Sequence, residues 1–155
     1  MKIRLAVIAL IVGLDQAVKA WATANPAFHV WIPGVLATRL TENTGIAFSL
    51  FTDQRWITLL LSALALGVLV YVLVRTPMQR LPGLCGWCIV GGALSNLLDR
   101  CLRGKVVDMF EFLFVRFAVF NVADAVIVLG SMIFLIAMIT ETRPGEGEHG
   151  KGNGY

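Results

Sequence analysis

Four long apolar stretches, separated by polar connections, set the pattern of this chain. They cover residues 3–22, 57–74, 81–98 and 117–140. Each approaches the ~20 residues that a helix needs to cross a bilayer. Because lipid offers the backbone no hydrogen-bond partners, a helix is the form that such stretches take in a membrane. The pattern therefore predicts an all-α membrane protein with four transmembrane helices.

The first stretch also has features of a secretory signal peptide. Lys2 and Arg4 precede a short apolar core, and residues 18–20 could serve as a cleavage site. However, Asp15 and Gln16 interrupt the region before that site, and apolar residues resume after it. We therefore expect an uncleaved first span rather than a removed leader.

The connections between the spans differ in length and composition. The long one, residues 23–56, contains two prolines, Gly34 and short alternating stretches, which predict short strands. Residues 143–155 are rich in glycine and are predicted to be a disordered tail. We expect one membrane domain over residues 1–142, followed by this tail.

Composition supports the membrane class. Of the 155 residues, 57% are hydrophobic and only 15% are charged, and the mean hydropathy is +0.78. Soluble proteins carry about 25% charged residues, and a soluble domain of this size has too little interior for so many apolar side chains. The net charge of +3 comes from scattered basic residues rather than a basic patch, so nucleic-acid binding is not expected.

The distribution of basic residues does not determine the orientation of the chain in the membrane. With four spans both termini face the same side, and cytoplasmic loops usually carry an excess of Lys and Arg. The terminal side carries six, Lys2, Arg4, Arg75, Arg80, Arg143 and Lys151, and the opposite side seven, Lys19, Arg39, Arg55, Arg100, Arg103, Lys105 and Arg116. Six against seven leaves the orientation open.

Polar side chains near the spans indicate one site. A charge in the hydrocarbon region is costly, so such residues are functional candidates. The candidates are Asp15, Gln16, Lys19, Asn43, Asn96, Asp99, Arg100, Asp108, Asn121 and Asp124. Asp15 and Lys19 are four residues apart and can pair on one helix face. In the four-span layout the span residues Asp15, Asn96, Asp99, Asn121 and Asp124 fall toward the end opposite the termini.

A purely structural interpretation competes at several of these positions. Asp15 with Lys19 fits a structural ion pair as well as a substrate contact, and Asp99 with Arg100 fits an anchor at a helix end. Asp108 is placed in a loop, where a solvated carboxylate is ordinary. Asp124 interrupts an apolar stretch with no basic neighbour in it, which favours a functional role.

Among catalytic groups, the sequence offers paired carboxylates most clearly. Two neighbouring aspartates tend to share one proton. The ionised one takes a proton from water, and the protonated one polarises a carbonyl. The two histidines lie in a loop and in the tail, so neither a metal site nor a cofactor is expected. Two alternatives stay open: a non-enzymatic transporter or scaffold that binds a cation, and a Ser-Lys peptidase using Lys19 with Ser49, Ser62 or Ser95.

Five sequence blocks, in order, carry a family resemblance. They are Asp15-Gln16-x-x-Lys19, the stretch from Asn43 to Ser49, the stretch from Gly91 to Arg100, Gly104-x-Val106-Val107-Asp108 and Phe120-Asn121-Val122-Ala123-Asp124. Together they resemble the bacterial lipoprotein signal peptidases, also called signal peptidase II, over nearly the whole chain.

The resemblance implies an aspartic endopeptidase whose catalytic pair is Asp108 and Asp124. The supporting and substrate-binding positions would be Asp15, Gln16, Lys19, Asn43, Gly45, Asn96, Asp99, Arg100 and Asn121. The substrates would be prolipoproteins with a diacylglyceryl-modified cysteine, cut just before that cysteine.

The resemblance also implies a location and an architecture. The protein would lie in the bacterial inner membrane among its lipids, with both termini cytoplasmic and the active site toward the periplasm. Separately from the resemblance, we expect a monomer. Residues 23–56 would form a small β-rich cradle and a helical lid.

The chain departs from the family pattern in three places. Ser95 stands where the family commonly has Gly, and Met109 stands where Phe is usual. The stretch between Asp108 and Asp124 is also short. No carboxylate is lost, so we expect an altered loop shape rather than lost activity.

Overall fold

Four helices form the body of the protein. The computed structural model describes residues 1–45 and 51–141. The helices are α1 (Lys2–Ala24), α2 (Arg55–Arg75), α3 (Arg80–Arg103) and α4 (Val122–Glu141). Each is long and apolar enough to cross a membrane, so the predicted four-span architecture is confirmed.

Helix α3 is the centre of the bundle. In its most apolar window 44% of residues are buried, against 11–17% in the other three helices. Small residues on α3 allow its neighbours to approach closely, as is usual between membrane helices. At Gly92 an added Cβ would lie 2.7 Å from the carbonyl oxygen of Ala123 in α4. α3 therefore positions α4, and with it Asp124.

A small antiparallel sheet covers one end of the bundle. Its strands are β1 (His29–Ile32), β2 (Leu36–Asn43) and β3 (Val106–Phe112), in the order β1-β2-β3. A turn through Gly34, which has a φ of +72°, joins β1 to β2. Two of the three strands lie in the connection at residues 23–56, where short strands were expected, and the connection after α3 contributes the third.

Gly104 turns the chain from α3 into β3. It adopts a left-handed conformation with a φ of 75°, and its N–H donates to the carbonyl of Arg100 at 3.1 Å. Glycine is favoured in this helix-ending geometry because it has no Cβ. The strand that follows pairs Asp108 with Thr41 of β2. The placement of Asp108 in a loop was wrong: it lies in a strand.

The fourth span begins later than the hydrophobic pattern predicted. Residues 117–121 are not helical, and Phe120 pairs with Phe110 of β3 through two backbone hydrogen bonds of 2.8 and 2.9 Å. The expected helical lid falls partly on residues 46–50, outside the described residues, and Phe51–Asp53 forms a turn. The expected tail at 143–155 also lies outside them.

A compact apolar core holds the sheet against α1. It consists of Ala22, Val107 and Met109, with Val18, Leu40 and Phe110 packed around it. Met109 is fully buried, so the side chain that departs from the family pattern fills this core. The core fixes β3, and therefore Asp108, relative to the membrane helices.

Candidate active site

A buried ion cluster, formed by Asp15, Lys19 and Asp99, joins α1 to α3. The Lys19 Nζ atom lies 2.7 Å from Asp15 Oδ2 and 2.7 Å from Asp99 Oδ2, and all three side chains are at most 1% exposed. Lys19 also donates to Asn96 Oδ1 at 2.9 Å. Buried charges persist when they are paired and hydrogen-bonded. Three acceptors occupy Lys19, which speaks against its use as a free base by a serine nucleophile.

Two further side chains surround the ion cluster. Gln16 donates from Nε2 to Asp99 Oδ1 and to Ser95 Oγ, both at 3.1 Å. The Arg103 Nη1 atom lies 2.5 Å from Asp99 Oδ1. These contacts satisfy Oδ1, the remaining oxygen of the Asp99 carboxylate, as a buried carboxylate requires.

The start of α4 holds Asp124 by a reciprocal pair of hydrogen bonds. The Asp124 N–H donates to Asn121 Oδ1 at 2.8 Å, and the Asn121 N–H donates to Asp124 Oδ2 at 3.2 Å. This is a capping box, in which a side chain before the helix and one in its first turn satisfy each other's amides. Asp124 therefore serves as a structural cap and leaves its Oδ1 atom to face the site.

Strand β3 places Asp108 against the same asparagine. Asn121 Nδ2 donates to Asp108 Oδ1 at 2.7 Å, and Asn43 Nδ2 donates to Asp108 Oδ2 at 3.1 Å. Asp108 is 2% exposed. Both of its oxygens are thus held by amide groups from two other elements.

Two asparagines connect the carboxylates of Asp108 and Asp124. Asn96 Nδ2 donates to Asp124 Oδ1 at 2.8 Å, while Asn96 Oδ1 accepts from Asn121 Nδ2 at 3.2 Å. Asn121 contacts Asp108 directly, as described. Asp124 is half-buried whereas Asp108 is almost fully buried. The pair therefore has one sheltered member and one that a substrate can reach.

The electrostatics of the site favour a retained proton. Burial, followed by the charge of Asp124, raises the pKa of Asp108 from 3.8 to about 6. Hydrogen bonds from Asn43 and Asn121 act in the opposite direction, as does the positive charge of Lys19. Two carboxylates in one poorly solvated place resist being ionised together.

Arg100 supports the site from the end of α3. Its Nη2 atom donates to the carbonyl of Gly45 at 3.0 Å. The Gly45 N–H in turn donates to Asn43 Oδ1 at 3.0 Å, and Asn43 holds Asp108. Arg100 therefore orients Asn43 through the backbone of Gly45.

All eleven residues singled out in the sequence lie in one hydrogen-bonded network. They are Asp15, Gln16, Lys19, Asn43, Gly45, Asn96, Asp99, Arg100, Asp108, Asn121 and Asp124. Among the described residues, sequence reasoning missed two side chains of this network: Ser95, whose hydroxyl donates to Asp15 Oδ2 at 2.7 Å, and Arg103, which pairs with Asp99. Each lies four residues from Asp99 on α3, and that spacing was the available signal. Within residues 1–45 and 51–141, no group of His, Cys, Asp or Glu is suited to hold a metal ion.

The fold and the site together define a class. Four membrane-spanning helices that hold two carboxylates, joined through amides at one end of the bundle, have the arrangement of a membrane-embedded aspartic peptidase. Comparison with known proteins gives the family. The signal peptidase (SPase) II family profile matches residues 7–140, and the chain belongs to that family, which confirms the resemblance seen in the sequence.

Relatives and solved structures agree with this assignment. The chain is 35% identical over 147 residues to the lipoprotein signal peptidases of Streptococcus pyogenes serotype M1 and of Lactococcus lactis subsp. lactis strain IL1403, covering 91% of this chain and 97% of each relative. A solved bacterial membrane enzyme matches with a TM-score of 0.85 at 22% identity, over 97% of this chain and 96% of that one. A second matches with a TM-score of 0.81. These structures share the fold.

Proposed function

We propose that Asp108 and Asp124 are the catalytic pair of an aspartic endopeptidase that removes signal peptides from prolipoproteins. Membership in the signal peptidase II family and the names of the lipoprotein signal peptidases support the reaction. The observation that carries the assignment of residues is the amide bridge between the two carboxylates, together with the raised pKa of Asp108.

The pair acts as a unit that holds one proton. The ionised carboxylate removes a proton from a water molecule, whose oxygen attacks the scissile carbonyl carbon. The protonated carboxyl donates its proton to the carbonyl oxygen as the tetrahedral intermediate forms. When the C–N bond breaks, the carboxyl that took the proton from water passes it to the leaving amine, and the diol returns the other. Both carboxyls end in the protonation states in which they began, and the atoms of the water are divided between the new carboxyl group and the released amine, so the cycle balances with the two aspartates and water alone.

Asparagines 43, 96 and 121 keep the two carboxylates at a fixed separation. Their amide N–H groups donate to the carboxylate oxygens, which stabilises whichever member is ionised. Asn121 contacts both partners. Because rigid donors require no reorganisation during the reaction, this arrangement suits a proton that moves between the two aspartates.

The substrate chemistry follows from the setting of the site. We propose prolipoproteins whose cysteine carries a diacylglyceryl group, cut just before that cysteine. Acyl chains keep such a substrate in the bilayer, and the apolar faces of the four spans meet the same lipid. The half-buried Asp124 lies at the first turn of a spanning helix, close to the level at which a lipidated residue would sit.

The chain is a multi-pass membrane protein, and its membrane, its orientation and its oligomeric state can be proposed in more detail. We propose that it is a monomer in the bacterial inner membrane, with both termini cytoplasmic and the site toward the periplasm. One peptidase domain would extend over residues 1–142. The sheet and the connection at 23–56 would form the cradle and lid beside the bilayer surface.

Single substitutions of the two aspartates test the catalytic assignment. Asp108→Asn and Asp124→Asn should each abolish cleavage of a lipidated precursor, because an amide can neither take nor donate the proton. Uncut precursor would accumulate on a mobility-shift gel. Asp53→Asn, which alters an exposed aspartate outside the network, is the matched control and should process normally.

Two outcomes would favour the alternatives. Normal processing by Asp124→Asn, with loss on Lys19→Ala, would indicate a Ser-Lys peptidase. Absence of any cleaved product from the unaltered protein, with cation-dependent transport instead, would indicate a non-enzymatic membrane protein.

A further inference from the structure

Ser95 occupies a buried position between α3 and α1. Its side chain is fully buried. The hydroxyl donates to Asp15 Oδ2 at 2.7 Å and accepts from Gln16 Nε2 at 3.1 Å. A hydroxyl has one proton and two lone pairs, so both contacts can form at once. Two hydrogen bonds from one small side chain therefore join α3 to α1 beside the ion cluster.

The two oxygens of Asp15 face different elements. Oδ2 faces Lys19 of its own helix and Ser95 of α3. Oδ1 accepts the backbone N–H of Ala123 at 2.8 Å. The first amides of a helix have no partner within it, so Asp15 satisfies one of them from outside. The residue after Ala123 is Asp124, and Asp15 therefore links α1 to the turn that presents the proposed catalytic carboxylate.

We propose that Ser95 is a positioning residue, whose hydroxyl holds the Asp15 carboxylate at the angle that lets Oδ1 bind Ala123. The inference rests on the proposed catalytic role of Asp124. Without the hydroxyl, Lys19 remains at Oδ2, and Lys19 is shared with Asp99. The carboxylate can then turn toward Lys19, the bond to Ala123 lengthens, and the first turn of α4 loosens.

The kinetics of two serine-to-alanine variants test the first consequence, a misplaced Asp124 carboxylate. Ser95→Ala keeps the Cβ atom and removes only the hydroxyl. Ser62→Ala is the matched control, because within residues 1–45 and 51–141 the Ser62 hydroxyl bonds only to the Thr58 carbonyl of its own helix, at 2.7 Å. With a lipidated precursor, Ser95→Ala should lower kcat about fivefold while KM changes less than about twofold, since misplacement of a reacting group affects the chemical step. Ser62→Ala should match the unaltered protein.

Backbone amide exchange tests the second consequence, a looser first turn of α4, without an activity assay. In Ser95→Ala the amides of residues 122–124 should exchange about tenfold faster, because their opening is a local event. Amides in the middle of α4, at residues 130–134, should be unchanged. A general loss of stability would accelerate both groups alike, so the difference between them isolates the positioning effect.

Several results would overturn the proposal. One is an unchanged kcat with unchanged exchange at residues 122–124 in Ser95→Ala. Another is uniform acceleration of exchange along α4, which would make Ser95 a general stabiliser. If the unaltered protein cleaves no lipidated precursor, the proposed function fails separately, and the exchange pattern alone decides whether Ser95 holds the first turn of α4.

Discussion

The protonation of Asp108 links the proposed catalysis to the stability of the fold. Its pKa is raised from 3.8 to about 6, so the folded protein prefers the protonated form more than the unfolded chain does. The stabilisation from this preference is fully present below about pH 4. It is lost as the pH rises through about 6. A shift of this size corresponds to roughly 3 kcal/mol at most.

Asp108→Asn should remove this pH dependence. The free energy of unfolding of the variant, minus that of the unaltered protein, should increase by about 2 kcal/mol between pH 4.5 and pH 7.5. Most of the increase should fall between pH 4.5 and about pH 6, where the carboxyl is ionised in the unfolded chain and still largely protonated in the folded protein. Thermal or denaturant unfolding in detergent at several pH values measures the difference. A difference that is constant across this range would contradict the raised pKa.

Lys19 is the residue on which the buried charges depend. Lys19→Met should lower the free energy of unfolding by about 3–5 kcal/mol, because it leaves Asp15 and Asp99 without their shared cation. Lys105→Met is the matched control. Lys105 pairs with Glu42 on the surface, and a surface pair contributes about 1 kcal/mol or less. Equal losses in the two variants, measured by unfolding in detergent, would show that the ion cluster is not what stabilises this region.

At the scale of elements, the contact between α3 and α4 sets the position of Asp124. Gly92→Ala would bring a Cβ to 2.7 Å from the Ala123 carbonyl oxygen and 2.9 Å from the Ile127 side chain. α4 must therefore move away. We expect a loss of about 1–3 kcal/mol in stability and at least a tenfold loss of processing, because small misplacements of a catalytic group are costly.

Gly67→Ala on α2 is the control for this substitution. No atom lies within 4 Å of the added Cβ at Gly67. Alanine is also favoured over glycine in a helix by up to about 1 kcal/mol. The variant should therefore process normally and be slightly more stable. If Gly92→Ala behaves in the same way in a gel-shift assay, close packing of the two helices does not position Asp124.

The hydrophobic pattern predicted the helices well and their ends less well. Helix α2 begins and ends within two residues of its predicted span, because charged residues flank it on both sides. Before residues 117–121 the same kind of marker misleads, because Arg116 directly precedes them although α4 begins only at Val122. Their apolar side chains suit a helix in lipid as well as pairing with β3. A partner ten residues away, Phe110 for Phe120, decided between the two.

The residues of the site could be predicted from the sequence more completely than the helices and strands that carry them. Charges such as Asp15 and Asp124 are conspicuous in apolar stretches, because lipid does not tolerate them without partners. Asp108 lies outside the four apolar stretches and does not stand out in this way. Only the family resemblance identified it as one of the catalytic pair. Ser95 could not be assigned its role, because a serine in an apolar helix is unremarkable and its partner Asp15 is 80 residues away.

At the scale of the whole molecule, the two ends of the bundle use their basic residues differently. Four of the seven at the site end form ion pairs: Lys19, Arg39, Arg103 and Lys105. At the terminal end, as far as the described residues extend, no basic residue forms an ion pair. There Arg4 lies 5.4 Å from the ring centre of Trp87, and Arg75 lies 5.6 Å from that of Tyr71. Such ring contacts also occur at the site end, where Arg55 lies 5.7 Å from the ring centre of Trp56, so the two ends differ in their ion pairs and not in their rings. Basic residues without an acidic partner suit the anionic cytoplasmic leaflet, and this difference supports the proposed orientation where the count of six against seven did not.

Cysteine labelling tests this orientation directly. In a variant whose three cysteines are replaced, Arg39→Cys places one thiol on the exposed sheet, and Gln79→Cys places one in the connection between α2 and α3. The two positions lie at opposite ends of the bundle. In intact spheroplasts a membrane-impermeant maleimide should label the protein with Arg39→Cys and should label that with Gln79→Cys only after permeabilisation. The reverse pattern would place the site on the cytoplasmic side, where the unpaired basic residues would face the wrong leaflet.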